Sequence, residues 1–231
     1  MSESVLRIRD LRVTFNTQMG ELKAVRGIDV DVAPGEILGV VGESGSGKSV
    51  SFLAAMGLLP SSATITGSVK LDGQELIGSK RKAFRSVRGK SLAMVFQDPL
   101  SALNPVHRVG DQIVEMIQSH QDMNTHDAEK RAVELLEIVG IPQPGERARQ
   151  YPHEFSGGMR QRVVIAMAIA NNPKVLIADE PTTALDVTVQ AQILEVIQKV
   201  QQTFGTAVVL ITHDLGVIAR VADSVNVMYA G

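Results

Sequence analysis

The sequence contains no cysteine and no tryptophan, and aromatic residues make up only 3% of its 231 residues. The absence of cysteine excludes disulfide bonds, zinc sites built on thiolates and cysteine-ligated iron–sulfur clusters within these residues. This absence fits a reducing compartment. Because aromatic residues are so few, an exposed one close to a functional motif becomes a stronger candidate for stacking on a ligand, and Phe15 is the first such candidate.

Long apolar runs and a strong excess of one charge are also missing. The longest wholly apolar run, Val163–Ala170, is far shorter than the roughly 20 residues that a transmembrane helix needs. The N-terminus lacks a basic region followed by an apolar stretch, so we expect no signal peptide. The net charge of −2 and a pI near 6.2 argue against a general nucleic-acid-binding surface. Any membrane role must therefore come through a partner.

Short apolar runs separated by helical stretches are typical of an α/β protein. Ile37–Val41 follows a Pro-Gly turn and ends at a glycine, which predicts a strand buried on both faces. Similar runs occur at 175–178, 207–211 and 225–229. Alternation of strands and helices predicts a parallel, doubly wound sheet.

The N-terminal segment has a different pattern. From Leu6 to Phe15, apolar and polar residues alternate with one slip at Asp10. This predicts a half-buried antiparallel strand, which we expect at the margin of a sheet.

The interval from Gln97 to Ser156 is mainly helical in pattern. It predicts helices over 109–120 and 128–139, and Thr125 is the expected cap of the second. No long heptad array occurs in this interval. The sequence therefore predicts a compact helical subdomain rather than a coiled coil.

Gly42–Ser49 has the spacing G-x-x-x-x-G-K-S between a predicted strand and a predicted helix. Its glycines let the backbone curl so that successive N–H groups point at phosphate oxygens. Lys48 is expected to reach the β- and γ-phosphates of a nucleotide, and the Ser49 hydroxyl is expected on Mg²⁺. The predicted nucleotide-binding residues of this P-loop are Gly42, Glu43, Ser44, Gly45, Ser46, Gly47, Lys48, Ser49 and Val50.

Two acids follow the apolar run at 175–178, where the carboxyl ends of parallel strands bind ligands. Asp179 is the predicted magnesium ligand, and Glu180 is the predicted base that polarises the attacking water. A positioned base of this kind contributes about 10²–10⁴-fold to a rate. An apolar strand that ends in two acids is common by itself. Its occurrence together with the P-loop is what favours a catalytic role for Asp179 and Glu180.

Ser156-Gly157-Gly158 begins a predicted helix that runs through Ala170, with Ser156 as its N-cap. Each glycine in a helix costs roughly 1 kcal/mol relative to alanine. Two in succession are unexpected unless something approaches the backbone closely, and the γ-phosphate of a second nucleotide would explain them. The simpler alternative is a capped helix.

Four further residues complete the predicted site. His213, at the tip of the 207–211 strand, is predicted to hold the γ-phosphate and the attacking water. Gln97 is predicted to bind Mg²⁺ or water. Asp186 has two open interpretations, an N-cap for a helix over 187–204 or a contact across a dimer. Phe15 is predicted to stack on adenine, and the alternative is an ordinary strand residue.

With these motifs the chain resembles, almost end to end, the nucleotide-binding subunit of an ABC transporter. Segments 97–105, 151–153 and 178–186 are more narrowly similar to ATPases of bacterial dipeptide, oligopeptide and nickel importers. The resemblance implies an α/β P-loop NTPase core with a mostly parallel sheet and an N-terminal antiparallel β subdomain. It also implies that 98–159 is a helical subdomain inserted into a core formed by 1–97 and 160–231.

In such systems two ATPase subunits, identical or different, enclose two ATP molecules with Mg²⁺. Each ATP lies between one subunit's P-loop and the other's Ser-Gly-Gly turn. The resemblance implies two permease subunits as direct partners, an extracytoplasmic solute-binding protein as an indirect one, and a peripheral position on the cytoplasmic face of the membrane. No nucleic acid is expected. The alternative is an ABC-type ATPase of DNA repair or translation, which the missing coiled coil and the single set of motifs argue against.

The sequence departs from the family pattern at two places. Phe155 and Met159 flank the Ser-Gly-Gly turn where the family usually has leucine and often has glutamine. The chain also stops at Gly231, where peptide-importer ATPases continue into a C-terminal extension. We therefore expect a shortened form of a longer subunit or half of a fused pair.

Overall fold

The computed structural model describes residues 4–18, 20–79, 84, 86–183 and 185–231. Contacts divide the chain into two compact units, the first formed by 1–88 with 207–231 and the second by 89–206. The predicted insertion of 98–159 into a larger core remains a prediction. The strands with defined bounds are β1 (Leu6–Thr17), β2 (Gly20–Val32), β3 (Ile37–Val41), β4 (Ala63–Leu71), β5 (Gln74–Glu75), β6 (Leu92–Val95), β7 (Val175–Asp179), β8 (Ala207–Thr212) and β9 (Ser224–Val227).

The helices with defined bounds are short near the P-loop and longest near the end of the second unit. They are α1 (Lys48–Ala55), α2 (Pro99–Ala102), α3 (Val109–Gln118), α4 (Thr125–Ile138), α5 (Pro144–Arg147), a 3₁₀ helix (Pro152–Glu154), α6 (Gly157–Ala168), α7 (Val187–Phe204) and α8 (Leu215–Val221).

The first unit contains an antiparallel sheet with the strand order β2-β1-β4-β5. β1 pairs with both β2 and β4, so the prediction that it lies at a sheet margin is wrong. The alternating pattern reports which face of a strand is buried and not how many neighbours the strand has. The slip at Asp10 is confirmed as a bulge, because Asp10 has φ 43° and both pairings shift register beside it.

The first unit also contains three parallel strands, with β3 between β8 and β9. All five residues of β3 and all six of β8 are buried, as their continuous apolar runs predict. α8 packs closely on this layer, since a Cβ on Gly39 would lie 2.7 Å from the Ile218 side chain. Together these strands bury the apolar residues that precede the P-loop.

The second unit combines the parallel pair β6–β7 with helices α2 to α7. Fully buried side chains from three of its helices form its core. The predicted apolar face of α4 is buried, but the N-cap of α4 is Asn124, whose side chain accepts from the Asp127 N–H at 3.0 Å. The prediction of Thr125 as the cap is wrong because two adjacent residues are both good capping types. The core side chains are Ile113, Ile117, Leu135, Leu136 and Ile165.

Helix ends elsewhere in this unit follow the sequence more closely. Ser156 is the N-cap of α6, as predicted, and Asp186 is the N-cap of α7, which is one of its two open interpretations. α6 ends at Ala168, two residues earlier than predicted. Within the described ranges, no helix combines the length and the apolar character that crossing a membrane requires.

The Glu75 carboxylate on β5 accepts hydrogen bonds from neighbouring residues. Burial acts to raise the pKa of Glu75, but hydrogen bonds from the Ser68 hydroxyl and from the N–H groups of Val69 and Ile77 outweigh it. The pKa is therefore held below its usual 4.5. A lowered pKa stabilises the fold above the pKa of the unfolded chain, and that contribution is lost as the pH falls through the folded-state pKa.

We predict that Glu75→Gln lowers the free energy of unfolding at neutral pH by about 1 kcal/mol, a modest figure because solvent screens this carboxylate. The difference from the wild type should shrink as the pH falls below about 4.5 and disappear below the lowered folded-state pKa of Glu75, where both chains carry a neutral side chain. Urea unfolding at a series of pH values measures this. Glu21→Gln, at an exposed position on β2, is the matched control. A difference that does not change with pH would contradict the assignment.

Candidate active site

The P-loop lies between β3 and α1 in the first unit, as the sequence predicts. Gly42, Gly45 and Gly47 have φ values of 155°, 80° and 97°, in the range that glycine adopts without strain. α1 begins at Lys48, so its first N–H groups and its positive dipole end face the loop. This is the backbone arrangement that binds phosphate at a helix N-terminus.

Two of these glycines are also required by the protein's own backbone. A Cβ on Gly42 would lie 2.2 Å from the Met228 carbonyl oxygen, and one on Gly47 would lie 2.6 Å from the Ala24 carbonyl oxygen. The Gly231 N–H donates to the Ser46 carbonyl at 3.1 Å. The path of the loop is therefore fixed from two sides by neighbouring main chain.

Lys48 and Ser46 give the loop its chemistry. Lys48 is only 6% exposed, and its Nζ donates to the carbonyl oxygens of Gly42 at 2.7 Å and Glu43 at 2.9 Å. An ammonium group has three donors, so one remains for a ligand. The Ser46 hydroxyl is buried and has no hydrogen-bond partner among the described residues, a situation that costs about 1–3 kcal/mol. A phosphate oxygen would satisfy both groups, so the loop fits a nucleotide phosphate.

The two predicted active-site acids, Asp179 and Glu180, lie at the end of β7. Asp179 is 8% exposed, and Glu180 has φ 47°, a left-handed conformation that costs a non-glycine residue about 1–3 kcal/mol. The Glu180 carboxylate accepts from Gln97 Nε2 at 3.3 Å and from Thr183 Oγ1 at 2.9 Å. The structure thus brings together two residues that the sequence singled out separately, and it adds Thr183.

Thr183 is a residue that the sequence analysis missed. A hydroxyl three residues after an acid is the spacing of a side-chain hydrogen bond across a turn, and this spacing is the signal that could have found it. Its backbone N–H also donates to the Glu180 carbonyl at 3.2 Å. Both bonds hold the turn that follows β7.

The Ser156-Gly157-Gly158 turn begins α6, with the Ser156 hydroxyl accepting from the Met159 N–H at 3.3 Å. The two glycines have different surroundings. A Cβ on Gly157 would meet the Leu185 side chain at 3.6 Å, an ordinary contact, whereas one on Gly158 would lie 2.4 Å from Val189 Cγ1. Packing within the second unit therefore explains Gly158, and Gly157 remains available for an external group.

The other predicted site residues lie where their elements place them. His213 is exposed directly after β8, and Phe15 is half-buried on β1, opposite Leu22 and Ala63. Asp186 caps α7 by accepting from the Val189 N–H at 3.0 Å, so the capping interpretation is confirmed. Its role in a dimer contact remains a prediction.

A family comparison matches these elements. The ABC transporter family model matches residues 25–183, which include the P-loop, the Ser-Gly-Gly turn and both acids. The chain belongs to the ABC transporter family. The departures at Phe155 and Met159 therefore lie within a segment that the family model covers.

Curated relatives match this ABC family member along nearly its full length. Oligopeptide transport ATP-binding protein OppD of Bacillus subtilis is 54% identical over 98% of this chain and 64% of its own length. OppD of Mycobacterium tuberculosis is 57% identical over 98% of this chain and 37% of its own length. OppD of Escherichia coli is 48% identical over 100% of this chain and 68% of its own length. The chain thus spans between about a third and two thirds of these relatives.

Solved structures show the fold of an ABC cassette. The ATP-binding cassette MJ0796, in a dimeric post-hydrolysis state with ADP and Pi, has a TM-score of 0.85 at 27% identity and covers 98% of this chain and 95% of its own. CbiO1 of Clostridium perfringens, part of the cbiONQ transporter complex, has a TM-score of 0.83 at 28% identity and covers 100% and 86%. The predicted fold class is confirmed, and the alternative of a DNA-repair or translation ATPase is not favoured.

We predict that Gly158→Ala lowers the free energy of unfolding by about 1–3 kcal/mol, because its methyl group would overlap Val189. Adding Val189→Ala should remove most of that loss relative to Val189→Ala alone. Gly157→Ala, whose methyl group has room, is the matched control and should not destabilise the fold. Urea unfolding of all four variants measures this, and equal midpoints for Gly158→Ala and Gly157→Ala would refute the steric explanation.

Proposed function

We propose that this protein is the ATP-binding and ATP-hydrolysing subunit of an ABC importer for dipeptides, oligopeptides or a related small solute. The observation that carries the proposal is 48–57% identity, along almost the whole chain, to OppD transport ATP-binding proteins. A dipeptide transport ATP-binding protein, DppD of Bacillus subtilis, is similarly close at 53%. A P-loop whose lysine and orphaned serine fit phosphate supports the ATP-binding part.

The proposed roles follow from the environment of each residue. The loop N–H groups, Ser46 and Lys48 hold the phosphates, and the preset backbone path lowers the cost of ordering on binding. Glu180 polarises the attacking water, and Gln97 orients its carboxylate. His213 donates to the γ-phosphate, and Phe15 stacks on adenine.

Magnesium is the metal that the predicted ligands fit. Within the described residues no group of three or more His, Cys, Asp or Glu could hold a metal. Mg²⁺ does not need one, because it is usually bound by only one or two carboxylates and completes its shell with phosphate oxygens, water and other protein oxygens. Ser49, Asp179 and Gln97 are the proposed ligands, and the ion would neutralise charge on the phosphates.

The proposed active form is a dimer of ATPase subunits, identical or different. The Ser156-Gly157-Gly158 turn of one subunit closes over the nucleotide of the other, and the absence of any close contact at Gly157 within the described residues supports this role. Two permease subunits dock on the region after Gln97, and an extracytoplasmic binding protein delivers the solute. The subunit is accordingly peripheral, on the cytoplasmic face of the membrane.

We predict that Glu180→Gln lowers kcat for ATP hydrolysis by about 10²–10⁴-fold while ATP binding persists, because the change removes the base and leaves the P-loop intact. In the presence of ATP, a dimer that encloses the nucleotide should then accumulate, and light scattering would detect it. Glu195→Gln, on the exposed side of α7, is the matched control. Normal hydrolysis by Glu180→Gln would refute the role of Glu180 as the base.

The transport assignment has its own test. The complete subunit, reconstituted with its permeases and binding protein in proteoliposomes, should take up labelled dipeptides or oligopeptides only when ATP is present on the ATPase side. ATP-dependent uptake should be lost with Glu180→Gln. ATP hydrolysis that no peptide stimulates and that drives no uptake would refute peptide import.

A further inference from the structure

The first turn of α7 carries a side chain that spans the loop after Glu180. Gln190 is half-buried, and its Nε2 donates to the carbonyl oxygens of Thr182 at 3.3 Å and Leu185 at 3.1 Å. One amide group thus joins two points of the segment Pro181–Asp186, which we call the β7–α7 loop. Both acceptors are backbone atoms, so the bonds constrain the path of the main chain.

The path of this main chain determines whether the Thr183 hydroxyl can contact the Glu180 carboxylate. The β7–α7 loop carries Thr183, whose hydroxyl donates to Glu180 Oε2 at 2.9 Å. Thr183 directly follows Thr182, whose carbonyl oxygen accepts one of the two hydrogen bonds from Gln190. Because Glu180 itself has the strained φ of 47°, hydrogen bonds around it are needed to keep a single conformation.

The helical turn that carries Gln190 is held firmly in place. Asp186 caps α7 through the Val189 N–H, and Val189 packs so closely on Gly158 that no side chain fits between them. Gln190 follows Val189 directly, so its amide projects from a helical turn that is fixed on two sides. Such support is what a positioning side chain requires.

We propose that Gln190 is a positioning residue for Glu180. It holds the β7–α7 loop in the path that places the Thr183 hydroxyl on the Glu180 carboxylate, and it touches neither nucleotide nor water itself. This inference rests on the proposed ATPase function. Loss of orientation at a base slows the chemical step, since a displacement of about 1 Å can cost 10²-fold, while ground-state binding by the P-loop is unaffected.

The test compares three substitutions in the complete subunit. Gln190→Met keeps the length of the side chain and removes both donors, and Gln190→Lys restores a donor at its end. Gln202→Met makes the same chemical change at an exposed position near the end of α7 and is the matched control. ATPase kinetics and thermal unfolding are measured for each, and the crystal structure of Gln190→Met is determined.

We expect Gln190→Met to lower kcat roughly ten- to a hundredfold with unchanged KM for ATP and unchanged Tm. Gln190→Lys should recover most of the rate, and Gln202→Met should match the wild type. In the Gln190→Met crystal, Thr183 Oγ1 should lie beyond hydrogen-bond distance of Glu180.

Three kinetic or stability results would overturn the inference: a wild-type kcat for Gln190→Met, a lysine variant as slow as the methionine variant, or a loss of rate that accompanies a lowered Tm. An unchanged contact between Thr183 and Glu180 in the Gln190→Met crystal would overturn it even if the wild type hydrolysed no ATP. That crystal therefore separates failure of this inference from failure of the proposed function.

Discussion

The first unit depends on a close approach of main chain to main chain at Gly42 and Gly47. The carbonyl of Ala24 comes from β2 in the antiparallel sheet, and that of Met228 follows β9 in the parallel layer. The P-loop is held between these two carbonyls, so both layers of the unit determine its shape. Its amides are aimed by the fold rather than by the ligand, which reduces the ordering cost of binding.

In the second unit, hydrogen bonds to a side chain fix the candidate site. Here the main element is a strained residue, Glu180, kept in a left-handed conformation by a turn and by donors from Gln97 and Thr183. Strain of this kind persists only where the surroundings over-determine it, and such places are often functional. One unit thus contains a preset backbone loop and the other a preset side chain.

Local signals explain which features the sequence could predict. The P-loop, its strand and the caps at Ser156 and Asp186 depend on residues close in sequence, and pattern reasoning found them. The interior position of β1 depends on pairing with β4, roughly 50–65 residues away, which no local pattern reports.

Contacts made at a distance explain what the sequence could not reveal about the site. The sequence analysis related Gly158 to a phosphate only, and its packing against Val189, some 30 positions later, is a second reason for glycine that only the fold shows. Thr183 and Gln190 were missed for a related reason, since threonine and glutamine are common in loops and helices and only the fold shows what their polar atoms contact.

The position of β3 between β8 and β9 has a consequence for synthesis of the chain. Ile37 pairs with Val208, so a buried apolar strand waits for partners made roughly 170 residues later, on the order of ten seconds or more at usual translation rates. During that time its edges are unpaired and open to aggregation. The P-loop is also incomplete in this early state, because the Met228 carbonyl that helps to shape it has yet to be made.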